Sequence, residues 1–274
     1  MNIFIIRYLI RSFLNLRYHF HKLTRTGTFG REEAVLLEAP YQETGNLVKD
    51  GLFRHHVKQF HESSCSVASV VNVLNALLDC NHSLPNPPLT QHDILERVRT
   101  AYWKERMGPN GYKGKRGLPL NVLGEITRSA LETYAIPFAS VETVCAASEA
   151  PDAFQKTLLA RLEEFETRGS CILIAHFDQG SFLRELNIPH ISPVGGFDLQ
   201  TRRVTMLDVD PSQEKPYQIS FSCFYTGIST HYYHMFRPFG YGRGGYIYIK
   251  LHAQPEAHLM MQKPERFQVQ STRA

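Results

Sequence analysis

The chain has 274 residues, 43% hydrophobic and 20% charged, proportions that exclude a disordered chain and a multi-spanning membrane protein. Its formal net charge is +4, but six bases (Arg7, Arg11, Arg17, Lys22, Arg25 and Arg31) and no acid lie in residues 1–31. The remaining 24 bases face 26 acids, so the body of the protein lacks the dense basic face that nucleic-acid binding needs.

Residues 1–20 read MNIFIIRYLIRSFLNLRYHF. Arg7 and Arg11 interrupt the apolar run, well short of the roughly 20 residues of a membrane span. Arg7, Arg11 and Asn15 fall at i, i+4 and i+8, which predicts a basic amphipathic helix. Such a helix suits a membrane surface, a targeting segment or packing on the domain. Residues 1–30 are therefore set apart from a single domain at 31–255, with a polar tail at 256–274. Within the domain, CSVASVVNVLNALL at 65–78 predicts a buried helix. A Pro- and Asn-rich loop follows, then a helix over 91–102 with Thr90 as its N-cap. Residues 104–116 are rich in Gly and Lys and predict a loop. Helices are expected over 120–134 and 152–166. The period then changes, and strands are expected at 170–177, 189–197, 203–209 and 246–251. Helices first and strands after them predict an α+β protein, a helical lobe followed by an antiparallel sheet.

Five cysteines, at 65, 80, 145, 171 and 223, are odd in number and never spaced Cys-x-x-Cys. This argues against a disulfide framework or structural zinc and fits a reducing, cytoplasmic compartment. Cys65 stands apart because it opens the first buried helix, where free N–H groups and the helix dipole favour a thiolate. A nucleophile needs a base and a group to orient that base. His190 begins one predicted strand and Asp208 lies 18 residues later in another. A hairpin of the two would set the carboxylate against the imidazole. Asp210, on the same face of an extended chain, is the competing orienter. Gln59, six residues before Cys65, can donate its side-chain amide to an oxyanion, with the Cys65 N–H as second donor. His55, His56 and His61 are read as polar loop residues, and Cys80, Cys145, Cys171 and Cys223 as structural. The Gly-rich run 237–245 is read as a turn before the last strand.

The segment QFHESSCSVASVVNVLNAL resembles the active-site segment of phytochelatin synthases, through Gln59, Glu62, Cys65, Ala68, Ser69 and the run Val73 to Leu77. HISPVGGFD and MLDVD resemble that family's histidine and aspartate segments, at a matching separation. The resemblance implies a papain-like cysteine protease fold. It implies that Cys65 is the nucleophile, His190 the general acid and base, Asp208 the orienter and Gln59 the oxyanion donor. The implied reaction is formation of a γ-glutamylcysteinyl thioester from glutathione with release of glycine, then hydrolysis or transfer to a second glutathione. It implies no tightly bound cofactor and no protein metal site; cadmium or zinc would act through a metal–thiolate substrate. The implied partner is glutathione or a related γ-glutamyl thiol peptide, with oligomeric state open and a dimer compatible. The chain departs from the family in Ser66 after the cysteine, and in Asp208-Val209-Asp210-Pro211, where an arginine usually follows. The lone Trp103 replaces a tryptophan-rich loop, and no Cys-rich extension follows. A second resemblance, to bacteriocin-processing peptidases, would make the protein a peptidase or deamidase with Asp210 as third member. A third reading makes it a non-enzymatic interaction protein acting through the N-terminal helix.

Overall fold

A computed structural model describes residues 34–108, 111–113, 117–146, 150–183, 189–229 and 242–252, with a few helical positions between 5 and 16. The 256–274 tail, Tyr232, Tyr233 and most of the 237–245 run lie outside the described residues.

The described elements are mixed helix and antiparallel sheet, as the sequence predicts. In chain order they are β1 (Val35–Leu36), α1 (Leu47–Arg54), α2 (Cys65–Cys80), α3 (Gln91–Arg97), α4 (Trp103–Met107), α5 (Leu120–Thr133) and β2 (Ser140–Cys145). Then come α6 (Pro151–Arg168), β3 (Cys171–Asp178), β4 (Pro189–Asp198), β5 (Arg203–Met206), β6 (Tyr217–Ser220), α7 (Phe221–Ile228) and β7 (Gly245–Lys250). The strands form one sheet in the order β1-β6-β5-β4-β3-β7-β2, with every neighbouring pair antiparallel. All eight residues of β3 are buried, so both faces of the sheet are covered at its centre.

Helix α2 packs on β4 and forms the middle of the core. Its small polar interruptions are buried and each ties the helix to another segment. Asn72 donates to the Leu52 carbonyl at 2.8 Å, and Asn75 exchanges hydrogen bonds with the Leu89 backbone. Thr90 caps α3 through a reciprocal capping box with Asp93. Helix α6 starts on Pro151 and ends on Gly169, whose φ of 59° is the left-handed conformation that glycine adopts without strain.

Several expectations are corrected. The helix over 91–102 stops at Arg97, because Val98 turns extended and Ala101 and Tyr102 take positive φ. That break carries Trp103 into the core. The 104–116 loop accordingly begins with a short helix, α4. Strand β5 ends at Met206 rather than 209, and its register with β4 shifts at a bulge between Val194 and Gly196. Leu207 closes against that bulge, so closely that a Cβ on Gly195 would lie 2.7 Å from its side chain. Strands β1, β2 and β6 and helices α1 and α7 add to the predicted elements. Cys171 and Cys223 are buried, as structural cysteines should be, but Cys145 is exposed on edge strand β2.

Candidate active site

Cys65 is the first residue of α2 and is buried. Ser64 makes no side-chain cap and the first turn holds no acid, so nothing from the helix itself offsets the positive end of its dipole beside the sulfur. The helix start is fixed to β4 by Ser69, whose hydroxyl spans the Cys65 carbonyl at 2.8 Å and the Ile191 carbonyl at 3.0 Å. One side chain thus sets the register between the nucleophile candidate and the residue after His190. Ser66, the departure next to Cys65, accepts a 3.2 Å hydrogen bond from the Trp103 indole. The substituted hydroxyl and the single tryptophan therefore belong to one contact behind the nucleophile.

His190 lies in β4 directly opposite Phe177 of β3, and the Phe177 ring meets the imidazole edge-on at 5.5 Å. Its Nε2 lies 2.8 Å from Asp208 Oδ1, and its ring also hydrogen-bonds the Cys65 side chain. Cys65, His190 and Asp208 thus form one chain of contacts, all buried. Asp208 accepts three further bonds: the Tyr217 hydroxyl at 2.7 Å on Oδ2, and the Asp210 N–H at 2.9 Å and Ser192 hydroxyl at 3.4 Å on Oδ1. Tyr217 and Ser192 have no counterpart in the sequence reading. Both lie on strands beside Asp208, and only the register reveals them.

The electrostatics follow from these contacts. Burial alone would lower His190, but the Asp208 charge and hydrogen bond, helped by Cys65, outweigh it and raise the imidazole to about 10. Burial would raise Asp208, but the His190 charge and the hydrogen bonds hold it down at about 2. His176, fully buried in β3, is lowered to about 4 by burial, so it is neutral near pH 7 and leaves the charge to His190.

Asp210 does not reach the imidazole. Its Oδ2 accepts from the Gln179 amide at 2.8 Å, and its Oδ1 accepts from the Ser212 N–H and hydroxyl. It therefore closes the turn after Asp208, which separates the two competing aspartates.

Gln59 is buried, and its N–H donates to the Val209 carbonyl at 2.8 Å, beside Asp208. Its side-chain amide oxygen has no hydrogen-bond partner among the described residues. The segment before it is bound to the same loop. Lys58 Nζ lies 2.7 Å from the Asp208 carbonyl and 2.5 Å from the Gln213 carbonyl, and His56 Nε2 lies 3.0 Å from the Asp208 carbonyl. Burial, with the Lys58 charge, lowers His56 to about 4. Burial also lowers Lys58, against the pull of Asp208 and Asp210. His56 is a loop residue, as read from the sequence, and its partly buried ring holds the aspartate backbone. His55 instead pairs with Asp79 at 3.0 Å. No motif could have announced His56 or Lys58, since their partners are backbone carbonyls distant in sequence. Among the described residues, no group of three or more His, Cys, Asp and Glu is placed to hold a metal ion.

A base charged by a buried carboxylate, bonded to a thiol at a helix start, is equipped for nucleophilic acyl transfer. A family model described as phytochelatin synthase matches residues 31–241. No curated protein matches the chain.

Proposed function

The chain belongs to the phytochelatin synthase family, and we propose that it cleaves glutathione through an acyl-enzyme on Cys65. The observation that carries this reading is the buried His190–Asp208 pair in contact with Cys65. In the first step the Cys65 sulfur attacks the carbonyl carbon of the Cys–Gly amide of glutathione. The developing oxyanion is met by the Gln59 amide and the Cys65 N–H. The tetrahedral adduct collapses, the C–N bond breaks, and His190 gives its proton to the departing glycine nitrogen. A γ-glutamylcysteinyl thioester remains. In the second step His190 takes a proton from water, which displaces the sulfur and yields γ-glutamylcysteine. If the amine of a second glutathione attacks instead, the product is a phytochelatin chain. Hydrolysis is the principal outcome. Asp208 holds the imidazole orientation and stabilises its charged form throughout. Cadmium or zinc, where they act, enter as glutathione thiolate complexes and thus as part of the substrate.

The peptidase reading rests on Asp210 as third member, and Asp210 is occupied by Gln179 and Ser212. The test is incubation of wild type and Cys65→Ser with glutathione, with and without cadmium. Glycine and γ-glutamylcysteine are expected from wild type alone. Equal glycine release from Cys65→Ser would remove the proposal.

A further inference from the structure

Outside the family match, the described residues of the N-terminal segment are Ile5, Tyr8, Leu9, Ser12, Phe13 and Leu16, all helical. At 3.6 residues per turn these positions share one helix face. Five of the six are large and apolar, and they are between 54% and 72% exposed. An amphipathic helix of a globular domain buries that face against its own core. The described residues of the domain leave it exposed.

Charge selects what covers it. Residues 1–31 carry six bases and no acid. A second copy of the same helix would bring like charges together, whereas an anionic surface complements them. The i, i+4 spacing sets Arg7 and Arg11 outside the series formed by Ile5, Tyr8, Leu9, Phe13 and Leu16. Among the described residues no helix is long and apolar enough to cross a membrane. From the exposed apolar face and the all-basic composition, we infer that residues 1–20 seat the protein on an anionic lipid surface. The Ile5, Leu9, Phe13 and Leu16 side chains enter the acyl boundary and the arginines meet the headgroups.

The test is co-sedimentation of the full chain with vesicles of phosphatidylcholine alone or mixed with phosphatidylglycerol. Binding to the anionic vesicles is expected, with little to the neutral ones, and release as salt rises from about 0.1 to about 1 M. Arg7→Gln with Arg11→Gln should weaken binding about fivefold for each arginine removed. Leu9→Asp with Phe13→Asp should abolish it, with an unchanged melting temperature showing that the domain is intact. Equal binding to both vesicle types, binding that survives alkaline carbonate, retention by the double aspartate variant, or a dimer in place of vesicle binding would each overturn the inference.

Discussion

Asp208→Asn keeps the size of the buried side chain and removes its charge. Asp208 receives four hydrogen bonds, and its carboxylate is what lifts His190 above its ordinary range. Without it, burial is opposed only by the Cys65 contact, so His190 falls from its raised value. One amide oxygen can still accept from His190 and from the Asp210 N–H. The amide NH2 then faces the Tyr217 hydroxyl, which must turn to accept. The structural cost is about 1–3 kcal/mol, set by charge-assisted bonds exchanged for neutral ones. The catalytic cost is larger, because neither the imidazole charge nor its orientation is maintained: about 10²–10⁴-fold in kcat for glutathione cleavage. Two assays separate these effects, glycine release and the rate of Cys65 alkylation by iodoacetamide across pH. The basic limb of the activity profile should move to lower pH in the variant. Stability has its own signature. The raised His190 contributes fully below its ordinary value and loses its contribution as pH rises to about 10. The lowered Asp208 contributes fully above the ordinary carboxylate range and loses its contribution as pH falls to about 2. The melting-temperature gap between wild type and variant should therefore be widest between about pH 4 and 6.5 and should close toward high pH. An unshifted basic limb, or turnover within about threefold of wild type, would show that Asp208 does not sustain the charge on His190.

Asp210→Asn should cost far less activity, under about tenfold, because Asp210 closes a turn and does not touch His190; kinetics of the two variants side by side check this. Gln59→Ala should lower kcat about 10²–10³-fold while leaving Cys65 alkylation unchanged, since an oxyanion donor acts only after attack. Lys58→Met should lower thermal stability by about 1–3 kcal/mol, because the Asp208 and Gln213 carbonyls lose a charged donor. Calorimetry reads that loss, and Lys58→Arg should restore part of it.

The parts of the fold that were legible in the sequence are those whose partners are implied by pattern. The apolar run from Cys65 has the length and density of a buried helix, and Thr90 with Asp93 carries a capping signal. The long β3 and β4 strands show as apolar runs flanked by turn residues. Elements set by tertiary pairing were not legible. Val35–Leu36 is two residues long and exists through its pairing with Gln218 and Tyr217. Phe221–Ile228 is an apolar run that fits strand and helix equally, and Ser220 capping the Cys223 N–H decides it. Helix α3 has a good start but no strong stop, and its end is set by the need to bury Trp103 against Ser66. At the site, residue type and order pointed to Cys65, His190 and Asp208. The family spacing favours Asp208 over Asp210, and the contacts of the two differ in the structure: Asp208 meets His190, while Asp210 bonds Gln179 and Ser212. The clamp of His56 and Lys58 on backbone carbonyls has no signature in residue type at all.

A covalent acyl-enzyme on Cys65, one cysteine among five, is the feature on which the proposed chemistry depends. It is tested most directly by intact-protein and peptide mass spectrometry of wild type quenched in acid during glutathione turnover. A γ-glutamylcysteinyl adduct is expected on the peptide containing Cys65, released by hydroxylamine and absent from Cys65→Ser. Glycine release with no adduct in the quenched protein, or an adduct on Cys80, Cys145, Cys171 or Cys223 instead, would contradict it.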